Sequence, residues 1–227
     1  MSTTSRPLNV FALALLAFAA GCPSEPPTPV ASAAADGADG GAAPAAAAPA
    51  SGAALGRVKI KDGAGAELYT IKPKDDGAKL VDAQENELAR LKVDASGKIK
   101  IKDAQDAVLG YVKPDGDKIK VKDASQEKTL FVLRRYPDGR VKLETGDDAL
   151  VLKLKPKDYG YKVEGPDEAP RFKVKVKDGK TSVRDEAENT LLYTKDPIPP
   201  LAMAVLGMDE LTREQRVALA SAVARSW

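Results

Sequence analysis

Gly97-Lys98-Ile99-Lys100-Ile101-Lys102-Asp103 is matched in kind, position by position, by Gly56-Arg57-Val58-Lys59-Ile60-Lys61-Asp62. It returns with one inserted residue as Gly116-Asp117-Lys118-Ile119-Lys120-Val121-Lys122-Asp123, and Gly77, Gly139 and Gly179 open further copies. Alternation of lysine with a β-branched residue is a period of two, so one face is buried and the other solvated. Each such run leads through an Asp-Ala-Gln or Asp-Ala-Ser turn into a second apolar strand, such as Glu67-Leu68-Tyr69-Thr70-Ile71-Lys72 or Val108-Leu109-Gly110-Tyr111-Val112-Lys113. One repeat of about twenty residues therefore reads as one β-hairpin. Seven are read, hence about fourteen strand segments, with the last pair, from Thr181 and from Thr190, the weakest in pattern.

A lone hairpin is barely stable in water, so the copies must share a core. A propeller needs at least four blades of four strands, more than seven hairpins supply. An open solenoid or flat meander would use the exposed lysines as edge protection. A closed antiparallel barrel removes the edges.

The end of the chain favours closure. After Pro199-Pro200, the run Leu201-Ala202-Met203-Ala204-Val205-Leu206-Gly207-Met208 is apolar on every side before Asp209-Glu210-Leu211. A helix of that kind is buried all round or lies in a membrane, and this one is too short to span a bilayer. Its place is inside a barrel. From Thr212, which forms a capping box with Gln215, residues 212–225 read as an amphipathic helix. Its stripe of Val217, Ala220 or Ser221, and Ala224 is expected to pack on the barrel exterior or rim.

Hairpin repeats followed by an apolar C-terminal helix ending in Asp-Glu-Leu resemble the tubby-like barrel superfamily, which includes the LURP-one-related proteins and the phospholipid scramblases. The resemblance covers about residues 56–211. It implies a mainly β fold, a closed antiparallel β-barrel of about twelve strands around a buried C-terminal helix. Seven hairpins exceed twelve strands, so one is expected to be misread or outside the barrel. The expected layout is a barrel over 56–200 and a helical segment over 201–227, with 201–211 buried and 212–225 amphipathic.

The first residues carry one positive charge, Arg6, followed by a mostly apolar run from Leu8 to Ala20. This is the layout of a secretory signal peptide over 1–21, too short for a membrane span. Ala19, Ala20 and Gly21 precede Cys22, the only cysteine, in a pattern that resembles the lipobox of bacterial lipoproteins. The resemblance implies cleavage before Cys22 and its acylation by a diacylglyceryl group and an N-acyl chain such as palmitate, enough for stable anchoring. A cell-envelope location follows. Pro23, in place of aspartate, favours the outer over the inner membrane. Residues 22–55, rich in Ala, Pro and Gly, read as a disordered tether that reaches roughly 110 Å when extended and about 30 Å as a coil.

Chemistry is harder to find. The chain has no histidine, its one thiol is assigned to lipid, and no serine sits in a nucleophile motif, so neither an enzyme nor a cofactor or metal site is expected. Asp62, Asp82, Asp103 and Asp123 recur at nearly fixed spacing. A calcium ladder would do this, but so would aspartate bonding its own backbone in each hairpin turn, and no acidic loop with its glycine and bidentate glutamate is present.

Lys98, Lys100, Lys102, Lys118, Lys120 and Lys122 are candidate contacts for anionic phospholipid headgroups, each contributing about 1 kcal/mol near an anionic surface. Outward lysine on a strand equally serves solubility alone. Net charge is +2 and aromatics are few, which argues against nucleic acid. The expected function is a non-enzymatic, lipid-anchored envelope protein with a β-barrel binding or structural module, its partners the membrane and anionic lipid or an envelope protein. The alternatives are a phospholipid-binding or scramblase-like protein, and an open β-repeat scaffold docking a partner along a strand edge.

Overall fold

Each copy of the repeat is a β-hairpin in the computed structural model, which describes residues 54–227. The expected signal peptide, Ala19, Ala20, Gly21, Cys22 and almost all of the tether lie outside the described residues. The first four hairpins are β1 (Val58–Asp62) with β2 (Glu67–Lys74), β3 (Gly77–Val81) with β4 (Glu87–Val93), β5 (Ile99–Asp103) with β6 (Val108–Asp115), and β7 (Lys118–Lys122) with β8 (Thr129–Arg135). The other three are β9 (Val141–Thr145) with β10 (Leu150–Lys157), β11 (Gly160–Glu164) with β12 (Pro170–Lys177), and β13 (Lys180–Arg184) with β14 (Thr190–Thr194).

All fourteen strands belong to one closed antiparallel barrel in which every strand pairs with its sequence neighbours and β1 pairs with β14. Closure excludes the open meander and with it the scaffold that would dock a partner on a free edge. All seven hairpins are in the wall, so the barrel has two strands more than the about twelve that the family resemblance implies.

Every hairpin is built alike. The register slips once near its turn, between Ile60 and Lys61 in the first and between Val183 and Arg184 in the last, which inserts a bulge such as Leu68 or Leu191. These turns lie at one end of the barrel, the far end. The opposite, near end is where β1 begins and β14 stops. The repeated aspartates do what a turn asks of them: Asp82 Oδ1 accepts the N–H groups of Gln84 at 2.9 Å and Asn86 at 2.8 Å, and Asp103 Oδ1 those of Gln105 and Ala107.

Inward residues such as Val58, Ile60, Ile71, Leu91, Ile99, Ile101, Leu133 and Leu154 form one core with two helices. α1 (Pro200–Leu206) starts at the near end with Pro200 at its first turn and packs on β11, β12 and β13. Leu201 to Leu206 are all buried, and each of the larger side chains contributes about 1.5–3 kcal/mol of burial. The burial expected over 201–211 is broken by Asp209 and Glu210, which are exposed in the turn between the helices.

α2 (Arg213–Ser226) departs from expectation. Its capping box is present, with Thr212 Oγ1 accepting from Gln215 N–H and Gln215 Oε1 accepting from Thr212 N–H. But Val217 through Ala224 are all buried, not one stripe of them, so α2 is interior rather than on the exterior or rim. Alanines 218, 220, 222 and 224 make every face of this stretch small and apolar, and α2 lies between α1 and the β5–β7 wall. In the ring of strands, β5–β7 stand opposite β11–β13, so the helical hairpin fills the barrel from wall to wall. Leu55, read as the end of the tether, is also buried in this core.

Candidate functional site on the outer wall

With the interior occupied, the chemistry of the described residues is on the outside. Lysines alternate with core residues, so they stand in outward rows that the register aligns across strands: Lys72 opposite Lys79, Lys79 opposite Arg90, and Arg90 opposite Lys102. Like charges directly opposite one another are destabilising. Acids interleave with them. Glu87 pairs with Lys79 at 2.6 Å and with Arg90, and Glu164 pairs with Lys155 at 2.6 Å and Lys162 at 2.9 Å. Lys155 and Lys162 hold the Glu164 carboxyl below its ordinary range by hydrogen bonding, against its burial.

A second set of acids comes from the far-end turns. Glu85, Asp106, Asp148, Glu168 and Glu188 all have positive φ, between 61° and 68°. Each reaches back to a base on the preceding hairpin: Lys72, Arg90, Arg134, Lys153 and Lys173. Two turns lack the acid, having Gln126 and Gly65 at that place. On the strands they would reach, β6 and β14, the residue in register with Arg90, Lys153 and Lys173 is a tyrosine, Tyr111 or Tyr193.

The six candidate lysines lie on or beside β5 and β7, where compensation is incomplete. Lys98 pairs with Asp94 at 3.5 Å, Lys102 with Asp106 at 3.3 Å, and Lys120 with Asp115 at 2.7 Å. Lys100, Lys118 and Lys122 form no ion pair among the described residues. Lys100 and Lys98 flank the Tyr111 ring, 5.7 and 5.8 Å from its centroid, and Lys122 lies opposite Tyr111 on the other side. Lys118 faces Arg134, and Lys113, which the sequence reading left out, faces Lys120. The structure thus brings the six into one basic wall and separates three neutralised members from three that are not. Leu109, on the bulge of β6, is 43% exposed beside them.

Strands of five to eight residues are shorter than the 9–11 of a membrane-spanning strand, and the outward face is charged instead of carrying an apolar band. Among the described residues no helix is long and apolar enough to cross a membrane, and no group of three acidic, histidine or cysteine side chains is placed to hold a metal ion. Open depressions mark the wall, two of which are well defined by their lining. One, of about 250 Å³, is lined by Tyr159, Lys162, Pro170, Phe172, Lys173 and Glu186, and the other, of about 240 Å³, lies where β1 meets β14.

No protein-family model matches the chain. No curated protein matches it either. A solved structure it resembles is the X-ray structure of a protein from Arabidopsis thaliana, at 15% identity, with 66% of this chain and 87% of that chain covered and a TM-score of 0.37. A likeness of that extent carries no argument about family, site or activity.

Proposed function

We propose that this chain is a non-enzymatic, lipid-anchored protein of the bacterial cell envelope, acylated at Cys22 and joined to its barrel through the Ala/Pro/Gly-rich segment, with the outer membrane favoured. The observation that carries the barrel's part in this reading is the helical hairpin packed in the interior, which among the described residues leaves the outer wall as the working surface. Kinship with the tubby-like barrels belongs to the same proposal. It is supported by a closed antiparallel barrel around a buried C-terminal helix, while two extra strands and a second interior helix set this chain apart. Mass spectrometry of the mature N-terminus tests the anchor. A diacylglyceryl-modified Cys22 at the first position is expected, and an unmodified peptide starting elsewhere removes it.

A phospholipid-binding reading is favoured by one observation, the cluster of Lys100, Lys118 and Lys122 without acidic partners. An anionic bilayer within reach of the tether would supply the missing negative charge, at about 1 kcal/mol for each lysine near the surface. A scramblase-like activity has less support, since α1 is seven residues long with Leu201 to Leu206 buried, and α2 is packed beside it inside the barrel. Co-sedimentation of the chain with anionic vesicles at low and high salt decides: salt-sensitive binding that falls with Lys100→Gln, Lys118→Gln and Lys122→Gln is expected, and its absence leaves these lysines as solubilising residues.

A further inference from the structure

The barrel closes on its weakest ladder. β1 and β14 match only at Lys61 with Tyr193 and Asp62 with Leu192, whereas every other pair of neighbours matches four or five residues. Towards the near end the two strands part, because β14 turns away through Lys195 and Asp196 to begin α1. What joins them there is one hydrogen bond, from the backbone N–H of Lys59 to Asp196 Oδ2 at 2.7 Å. The gap is the depression of about 240 Å³ lined by Lys59, Lys61, Tyr193, Thr194, Lys195 and Asp196.

The charges around the gap are unlike those of the rest of the wall. The first hairpin has Gly65 where five other far-end turns carry an acid, and the Tyr193 hydroxyl stands 3.6 Å from where a Gly65 Cβ would be. No carboxylate of the far-end turn therefore reaches back across the seam, as one does in five other hairpins. Glu67 is taken by Lys59 at 2.6 Å, and the Asp196 carboxylate by the Lys59 N–H. Lys61, Lys180 and Lys195 form no ion pair among the described residues, and Lys180 Nζ rests 3.9 Å from the centre of the Tyr193 ring. The β6 wall also lacks its turn acid, at Gln126, but its ladder to β7 is complete.

We propose that the β1–β14 seam is a binding site for an oxyanion of the phosphate class, held between Lys61 and Lys195 with Tyr193 beneath it. A tetrahedral anion offers several acceptors at once, and lysine meets phosphate as a mobile point charge. Bound there, it replaces the acid that the first hairpin lacks and clasps two strands that their own backbone leaves apart. Binding to the folded state alone raises stability. The site is independent of the lipid anchor and of the β5–β7 lysines.

The test is thermal unfolding of the full chain in neutral detergent, with inorganic phosphate against chloride at equal ionic strength. Phosphate raises melting temperatures by exclusion as well, so the comparison is with Lys61→Gln/Lys195→Gln. Wild type is expected to gain about 3 °C more from phosphate than this double variant. Amide exchange at Lys59 and Ile60 should slow on phosphate addition in wild type only. Lys74→Gln/Lys157→Gln, at two exposed lysines away from the seam and from the β5–β7 cluster, is expected to keep the full gain. Equal gains in wild type and in the seam variant overturn the proposal, and so does loss of the gain in this control, which would mark bulk charge. Co-sedimentation with phosphatidic acid vesicles then distinguishes the source. If the seam variant also loses vesicle binding, the phosphate is that of a lipid headgroup; if vesicle binding is unchanged, it is a soluble one.

Discussion

Glu168, held at φ 63°, places its carboxylate 2.9 Å from Lys153 Nζ on the hairpin before its own. The left-handed conformation is unfavourable for a residue with a Cβ and is ordinarily given to glycine. Five of the seven hairpins accept it at this place with an acidic residue, and each uses the aim it gives to buckle one repeat to the previous one. Local strain is set against relief of the like-charge rows.

Two substitutions at Glu168 separate these effects. Glu168→Ala loses the pair and keeps the strained backbone, whereas Glu168→Gly loses the pair and relieves the strain. Glycine is expected to melt above alanine at every ionic strength, and above wild type in high salt, where the exposed pair is screened. Thermal unfolding of the three chains at low and high salt checks the order.

Glu188 is the most strongly held of these acids. Hydrogen bonds from Lys173 and then Lys175, the latter at 2.8 Å, bring its pKa down to about 2 from an ordinary 4.5. A carboxyl with a depressed folded value binds protons more readily when unfolded, so its contribution is complete above about pH 4.5 and drains as pH falls towards 2. Glu188→Gln should therefore flatten the acid limb of stability in that window and leave the neutral region less affected. Denaturant titrations stepped between pH 5 and pH 2 measure it.

Tyr69 works on the alkaline side. Burial pushes its phenol up to about 12, while Arg216 and Arg213 nearby act in the opposite sense. The unfolded chain releases this proton near pH 10 and the folded chain does not, so stability falls between pH 10 and 12, by about 2–3 kcal/mol at the top of the range. Tyr69→Phe should remove that loss, seen as a smaller drop in melting temperature between pH 9 and 11.

Much of this was legible in the residues. Period-two alternation located the hairpins, because a one-residue error would turn every lysine inward. The all-apolar face of Leu201 to Met208 located the buried helix. The α2 helix was misplaced for a physical reason: Val217, Ala220 and Ala224 look like a stripe only if the alanines between them are taken as exposed, and alanine at close helix contacts signals either outcome. The buckles were not legible, since left-handed φ at an acid is decided by the turn and bulge together. A signal was nonetheless there, an acid at a fixed offset in five turns with Gln126 and Gly65 in the other two. Of the candidate lysines, sequence located the wall, but only side-chain geometry told Lys100, Lys118 and Lys122 from their neutralised neighbours.

Gly207, between the two interior helices, is a sensitive test of how tightly the barrel is filled. Its φ of −85° suits any residue, so a substitution there meets only packing. A Cβ would come within 3.1–3.2 Å of Val183 and Phe172. Gly207→Ala is expected to cost about 1–3 kcal/mol by overpacking, read from urea unfolding. Val205→Asp, which places a carboxylate at a site with no exposure, should abolish the cooperative transition. A Val205→Asp chain that melts like wild type would contradict the interior placement of α1.

Asp196 tests the closure itself. Among the described residues its carboxylate is the acceptor that joins β1 to the chain beyond β14 at the near end, through the Lys59 N–H, and its own N–H is fixed by Thr194 Oγ1 at 3.0 Å. Asp196→Ala removes a hydrogen bond to a charged group, worth about 1.5–3 kcal/mol when both partners are sheltered and less here, where Asp196 is half-buried. The expected loss is about 1 kcal/mol. Its location is more diagnostic than its size. Exchange of the Lys59 amide should quicken by about the same factor as the local loss, with β2 through β13 unchanged, because their ladders are complete without the seam. A variant in which all strands exchange faster together would mean that the seam opens only with the whole barrel, and that closure is held by the helical hairpin inside rather than by the strands that meet there.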